Sequence, residues 1–184
     1  MNDACAPLEL RQLTRPEEIT PELREELADC WEEVVNSGGA VIAAEFPLPP
    51  VARSHVAPVV DGLVRALDPR LARLLVATVG GSLAGWLVIR RDGHPLVAHR
   101  GTVNHVQTLP RLRGRGIATA LMNRVPDIAR EGMGLERLAI AVRGGLGLEA
   151  FYGRLGWTEV GRWPGALRVA PGDDRDEILM SLVL

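Results

Sequence analysis

One turn and its flanks constrain this chain more than anything else in it. Arg111-Leu112-Arg113-Gly114-Arg115-Gly116-Ile117-Ala118 follows a strand-like run, Leu96 to Thr108, and opens a stretch with helical spacing. Ile117, Leu121, Met122, Val125 and Ile128 fall on one helix face. Arg137 to Val142 then reads as another strand. Strand, tight turn, helix and strand form a single βαβ crossover, which makes its two strands parallel.

The remaining segments read as antiparallel pieces around that crossover. Leu8 to Gln12 alternates and predicts an edge strand. Thr20-Pro21-Glu22 is a helix start, with a cap, a proline at the first helical position and an acid. Leu23, Leu27, Cys30, Trp31, Val34 and Val35 share a helix face, and Gly38-Gly39 ends it. A proline-rich loop follows, then a second amphipathic helix from Val56 to Leu67, stopped by Asp68-Pro69. Arg73 to Val79 and Ser82 to Ile89 are strands joined at Gly80-Gly81, a hairpin signal. Pro126 removes a donor inside the third helix and predicts a kink or a shortening. Leu148 to Arg154 reads as a short helix, and Trp157 to Trp163 and Glu177 to Val183 as the last strands. A chain of 184 residues suits one domain, 1–184.

The turn itself points to an anion. Glycines allow a tight bend and close approach to a ligand. Unpaired amides at a helix start, with the helix dipole, attract phosphate. Arg111, Arg113 and Arg115 add positive charge. A dinucleotide fingerprint wants glycine at the sixth position, where Thr119 stands, and several βαβ units, where only one is present. The glycine-rich Gly80 to Gly85 segment is not a nucleophile elbow, because it joins strand to strand and has Ala84 just before Gly85.

Composition removes further classes. All 21 basic residues are arginine. A Walker A lysine and a Schiff-base lysine are therefore both excluded. Cys5 and Cys30 are far apart and form no CxxC, so no metal site is expected and a reducing cytoplasm is the default. The acidic Met1-Asn2-Asp3-Ala4 start is unlike a cationic export signal, and the apolar run Gly38 to Ala44 is too short to span a bilayer. Membrane and nucleic-acid partners are not expected, since net charge is only −2. The charge is unevenly spread: residues 1–33 hold ten acids and three arginines, and residues 100–168 hold eleven arginines and five acids. An anionic ligand on the second half fits that distribution.

Arg111-x-x-Gly114-x-Gly116, preceded by Pro110, resembles the Q/R-x-x-G-x-G/A signature of the GNAT superfamily of acetyl-CoA-dependent N-acetyltransferases. Phe151-Tyr152-x-x-Leu155-Gly156-Trp157, about 40 residues on, looks like that family's F-Y-x-x-x-G-F segment. The resemblance covers roughly Thr102 to Trp163. It implies an α/β (mixed α+β) three-layer fold, with a mostly antiparallel sheet of about seven strands. One parallel crossover, a splay at the cofactor site and about four helices belong to the same expectation. Acetyl-CoA would be the co-substrate. Amides of Arg113, Gly114, Arg115, Gly116, Ile117 and Ala118 would cradle its pyrophosphate. The main chain of Val106, Gln107 and Thr108 would pair with the pantetheine arm. Many relatives carry Asn seven residues before the tyrosine, where this chain has Gly145. Many relatives also dimerise, so a homodimer is among the expected partners.

Acetyl transfer to an amine needs a proton acceptor for the nucleophile and a proton donor for the leaving thiolate. Tyr152, the one tyrosine in the chain, falls on the family's acid position. His105 is the candidate base, and it shares the strand before the turn with His99, Arg100 and Asn104. His55 and His94 have no partner nearby in sequence. Glu45 reads as a surface acid, the alternative being a contact for a cationic acceptor. Cys30 falls on the buried helix face, which favours direct attack in a ternary complex over a covalent route. The expected activity is acetyl transfer to a primary amine of a small molecule or peptide. The competing reading is a non-catalytic acyl-CoA-binding sensor or complex subunit.

Overall fold

The computed structural model describes residues 6–39, 45 and 47–184. Cys5, the Met1 to Ala4 start and most of the Gly38 to Ala44 run lie outside the described residues. Seven strands form a sheet in the order β1-β2-β3-β4-β5-β7-β6. They are β1 (Leu8–Leu13), β2 (Ala72–Val79), β3 (Ser82–Arg91), β4 (Arg100–Thr108), β5 (Arg137–Arg143), β6 (Thr158–Ala170) and β7 (Asp173–Val183). The helices are α1 (Pro21–Asn36), α2 (Arg53–Arg65), α3 (Ile117–Asp127) and α4 (Leu148–Arg154). The fold is mixed α/β, and β4–α3–β5 is its parallel crossover.

Contacts divide the chain into two compact units, residues 1–89 with 105–121, and residues 90–104 with 122–184. In the first unit, β1 pairs antiparallel with β2 from Leu8↔Val79 to Leu13↔Leu74. Thr20 caps α1 by accepting from the Leu23 amide at 3.2 Å, and Pro21 needs no donor there. Apolar residues of α1, α2 and the nearby strands make one core, with Trp31 and Trp86 in edge-to-face contact at 4.9 Å. Arg53 joins α2 to Glu25 and Asp29 of α1, and Arg24 joins α1 to Asp61 of α2. The Asn36 side chain donates to Val51 O at 2.9 Å and accepts from Val51 N at 2.8 Å. That two-way bond pins both ends of the loop between the helices, which carries Glu45.

Gly85 of β3 is required by close packing. A Cβ there would lie 2.5 Å from Gln107 O and 3.0 Å from Ile117 Cγ2. Neither backbone oxygen nor buried helix side chain can yield cheaply. Gly85→Ala is expected to destabilise the fold by about 1–3 kcal/mol, as overpacked cores do, read as a lower urea midpoint at unchanged slope.

In the second unit, the parallel ladder of β4 and β5 runs from Arg100↔Arg137 to Thr102↔Ala139 and ends there. This early end fits the splay that the resemblance implies. β5 pairs antiparallel with β7 along its whole length, and β7 pairs with β6. Leu138, Ile140 and Val142 of β5 and Ile178 and Met180 of β7 are buried. Alternating neighbours face outward, as period 2 requires.

Three boundaries differ from the sequence reading. Val97 to His99 form a turn, so β4 begins at Arg100 and not at Leu96. Pro126 stays inside α3, and a π-helical turn follows over Ile128–Gly132, so the missing donor alters the helix beyond it. β6 and β7 run well past Trp163 and start well before Glu177, because Pro164-Gly165 is absorbed as a register shift between Trp163 and Leu167.

Candidate active site

The glycine-rich turn is built as an anion cradle. A 3-10 turn, Pro110–Leu112, leads into it, and the Arg113 amide donates to Pro110 O at 3.3 Å. Gly114 and Gly116 both have φ of +78°, a region that side chains avoid. Among the described residues, a Cβ on either would meet nothing within 4 Å, so the space beside both glycines is open. The first amide to reach an intrahelical carbonyl is that of Ala120, on Gly116 O at 2.9 Å. Among the described residues, the amides from Gly114 to Thr119 have no hydrogen-bond partner. The set sits at the positive end of the α3 dipole. The Arg113 amide is thus already engaged, unlike the five that follow it to Ala118 and that of Thr119.

The three arginines divide their work. Arg111 reaches Glu33 Oε2 at 3.3 Å, and Arg113 reaches Ser37 Oγ at 3.2 Å, both at the end of α1. Arg115 has no such partner among the described residues. It lines a cavity of about 250 Å³ with Ala6, Pro7, Leu8, Val79 and Ile117. A free guanidinium beside unpaired amides suits a polyanion.

The strand before the turn carries unusual strain and unusual burial. His105 has φ of +55°, the one positive value outside glycine among the described residues. Such outliers cost roughly 1–3 kcal/mol and gather at functional sites. Its side chain is only 3% exposed. The ring packs on Trp31 at 4.6 Å and on Trp86 at 5.5 Å. Glu45 Oε1 lies 3.1 Å from His105 Nε2, off the axis of a ring N–H, so the contact is not an aligned hydrogen bond. The Glu45 side chain is 17% exposed, which corrects its reading as a surface acid. Further along β4, Gln107 is buried, and among the described residues neither its Oε1 nor Thr108 Oγ1 has a hydrogen-bond partner. Unpaired buried polar atoms are costly, and a ligand's amides would satisfy them.

The other histidines have structural duties. His55 Nδ1 accepts from the Ala52 amide and closes the start of α2. His94 Nδ1 accepts from the Leu96 amide in a turn. His99 precedes β4, and its carbonyl accepts from the Glu136 amide. Cys30 is buried, and burial pushes its thiol up to about 12. At neutral pH it is a thiol, a poor nucleophile.

In the second unit, Tyr152 lies on α4 and is 5% exposed. Its ring stands edge-on to Phe151 at 5.0 Å and to Trp157 at 6.2 Å. Burial raises its hydroxyl above the ordinary phenol value, which keeps the proton on. Among the described residues, no hydrogen bond involves that hydroxyl. Gly145 has φ of +81°, and Arg175 Nη1 lies 2.5 Å from where a Cβ would stand. The guanidinium fills the space left by the absent side chain.

Sequence reasoning placed the turn, His105 and Tyr152, but not the partnership of His105 with Glu45. The two are sixty positions apart and carry no shared motif, so no local signal joins them. Trp86 was equally silent, since a tryptophan in a strand reads as core.

The Acetyltransferase (GNAT) family profile matches residues 20–157. An acetyltransferase of the GNAT family from Streptococcus pneumoniae is similar in structure, with a TM-score of 0.72 at 19% identity. The match covers 97% of this chain and 100% of that one. Ribosomal-protein-alanine N-acetyltransferase from Brucella melitensis gives a TM-score of 0.72 at 18% identity, over 96% and 99%. A Salmonella typhimurium protein solved with its cofactor acetyl-CoA gives 0.70 at 15%, over 96% and 94%. Among the described residues, no helix is long and apolar enough to cross a membrane and no cluster could hold a metal ion. The glycine turn and the family match agree: the chain belongs to the GNAT family of acetyltransferases, with acetyl-CoA as its acetyl donor.

Proposed function

We propose that the protein transfers the acetyl group of acetyl-CoA to a primary amine of a small molecule or peptide, by direct attack in a ternary complex. The observation that carries this reading is the row of unpaired amides from Gly114 to Thr119, held open by two left-handed glycines. In this reading the amides of Gly114 to Ala118 and the side chains of Arg111, Arg113 and Arg115 hold the pyrophosphate. The main chain of Val106 to Thr108 pairs with the pantetheine arm, and the unpaired Gln107 Oε1 and Thr108 Oγ1 stand ready beside it. Acetyl-CoA supplies the activated thioester. His105 takes the proton of the attacking amine, and Tyr152 gives one to the departing sulfur. The high, burial-held proton affinity of Tyr152 supports the donor role, because a neutral phenol is what a thiolate needs.

The test is thiol release from acetyl-CoA across a panel of primary amines, peptides with free amino termini and matched alcohols. Turnover confined to amines is the expected result. Turnover of alcohols and not amines would overturn the choice of nucleophile. Coenzyme A binding without turnover on any acceptor would favour a binding module.

A further inference from the structure

We propose that Glu45 is the positioning residue for His105, fixing the imidazole as the Nε2–H tautomer so that Nδ1 is the bare nitrogen that receives the acceptor's proton. This rests on the reading of His105 as the base.

Three observations converge on it. First, the ring cannot choose its own orientation. Trp31 and Trp86, 1% and 0% exposed and in contact with each other, pack on it at 4.6 and 5.5 Å, and a side chain only 3% exposed has little room to turn. Second, Nε2 faces a carboxylate oxygen at 3.1 Å. A carboxylate only accepts, so a neutral ring must place its hydrogen on that nitrogen. Third, the carboxylate is in debt. Glu45 is 83% buried by side chain, its Oε2 has no hydrogen-bond partner, and His105 is its one charged or titratable neighbour within ion-pair distance among the described residues. A buried carboxylate needs a donor, and Nε2–H is the donor at hand. The resting contact is off-axis, and such contacts commonly tighten when substrate binds.

The consequence for catalysis is an electrostatic one. One proton passes from the acceptor nitrogen to Nδ1 as the new N–C bond forms and the thioester C–S bond breaks; the departing sulfur takes a proton from Tyr152, which regains one from water. The Nε2 proton stays where it is, and none moves to Glu45. The imidazolium then lies against a carboxylate, so the buried pair goes from a net charge of −1 to neutral. The environment therefore stabilises the state in which the base has done its work. Nδ1 later returns its proton to water.

The chain has four histidines, which makes the test direct. Long-range proton–nitrogen spectra of the labelled full-length protein are recorded at pH 8, where an ordinary imidazole is neutral. His105→Gln identifies the His105 signals. The expected wild-type pattern has the proton on Nε2. Glu45→Ala is expected to give a mixture of tautomers, and Glu45→Asp to restore the wild-type pattern in part. On an amine that the panel identifies, Glu45→Ala should lower kcat about 10- to 100-fold with the amine KM nearly unchanged, and Glu45→Asp should recover part of the loss. A wild-type ring protonated on Nδ1, or a tautomer indifferent to Glu45→Ala, overturns the proposal. A raised amine KM at unchanged kcat also overturns it, because Glu45 then binds the acceptor. If His105→Gln keeps the full rate while the tautomer still follows Glu45, the base reading itself is what has failed. If Glu45→Ala does not fold, Glu45→Leu keeps most of the side chain's bulk and removes the acceptor; a mixture of tautomers is the expected result, and an unmoved Nε2–H counts against the proposal.

Discussion

Gly116→Glu is expected to weaken coenzyme A binding at least about 100-fold, a loss of roughly 2.7 kcal/mol. Two effects add. Gly116 sits at φ of +78°, and a side chain there costs about 1–2 kcal/mol of backbone strain. Among the described residues nothing beyond the chain neighbours lies within 4 Å of a Cβ at this position, so steric collision contributes nothing. A carboxylate one residue from the unpaired amides repels the ligand's charge. Gly116→Ala separates the two effects, since it carries the strain without the charge, and its loss should be several-fold smaller. Titration calorimetry at fixed salt reads both, with thermal melting as a check on folding. An unchanged affinity for Gly116→Glu would remove the turn from the cofactor site.

The elements that sequence reading placed well are those whose signal is local. The Leu148 to Arg154 helix has these limits because Gly147, at φ of +70°, starts it and Gly156 turns away after it. The crossover was legible because a glycine turn between a strand and a helix admits few other topologies. The β6 and β7 hairpin was cut short because Pro164-Gly165 reads as a stop, whereas a long two-strand ladder tolerates a bulge. The site divides in the same way. The amide cradle is a consequence of two adjacent-but-one glycines, and sequence shows it. The strain at His105 and its burial against two indoles are tertiary facts: an ordinary His in a strand carries no mark of a positive φ. The proline-rich loop was the hardest to read. A lone acid among its prolines suggests solvent, but Asn36 ties the loop back at Val51, and Glu45 ends up only 17% exposed. Cys30 shows the reverse case, where helix periodicity alone predicted burial and burial decided the chemistry.

Tyr152→Phe is expected to lower kcat by about 10²- to 10³-fold while leaving the KM for acetyl-CoA nearly unchanged, the range for removing a general acid. The substitution deletes one oxygen and keeps the ring that packs on Phe151 and Trp157, so the fold should hold. No hydrogen bond from the described residues is lost with the hydroxyl, so a fall in rate cannot be assigned to a broken structural bond. A loss in kcat at constant KM marks an interaction made in the transition state and not in the ground state. Burial adds a second signature. It raises the Tyr152 hydroxyl above its ordinary value near 10, so the phenol stays protonated throughout the neutral and mildly basic range. The wild-type rate should therefore show no loss from this group up to about pH 10, where an exposed phenol would already be half ionised. If Tyr152→Phe retains the full rate, the sulfur takes its proton from elsewhere and Tyr152 is a packing residue. If the variant is slow but recovers with an aryl thioester, whose leaving group needs no proton, the donor role stands, because the defect then lies in protonating the thiolate and in no other step.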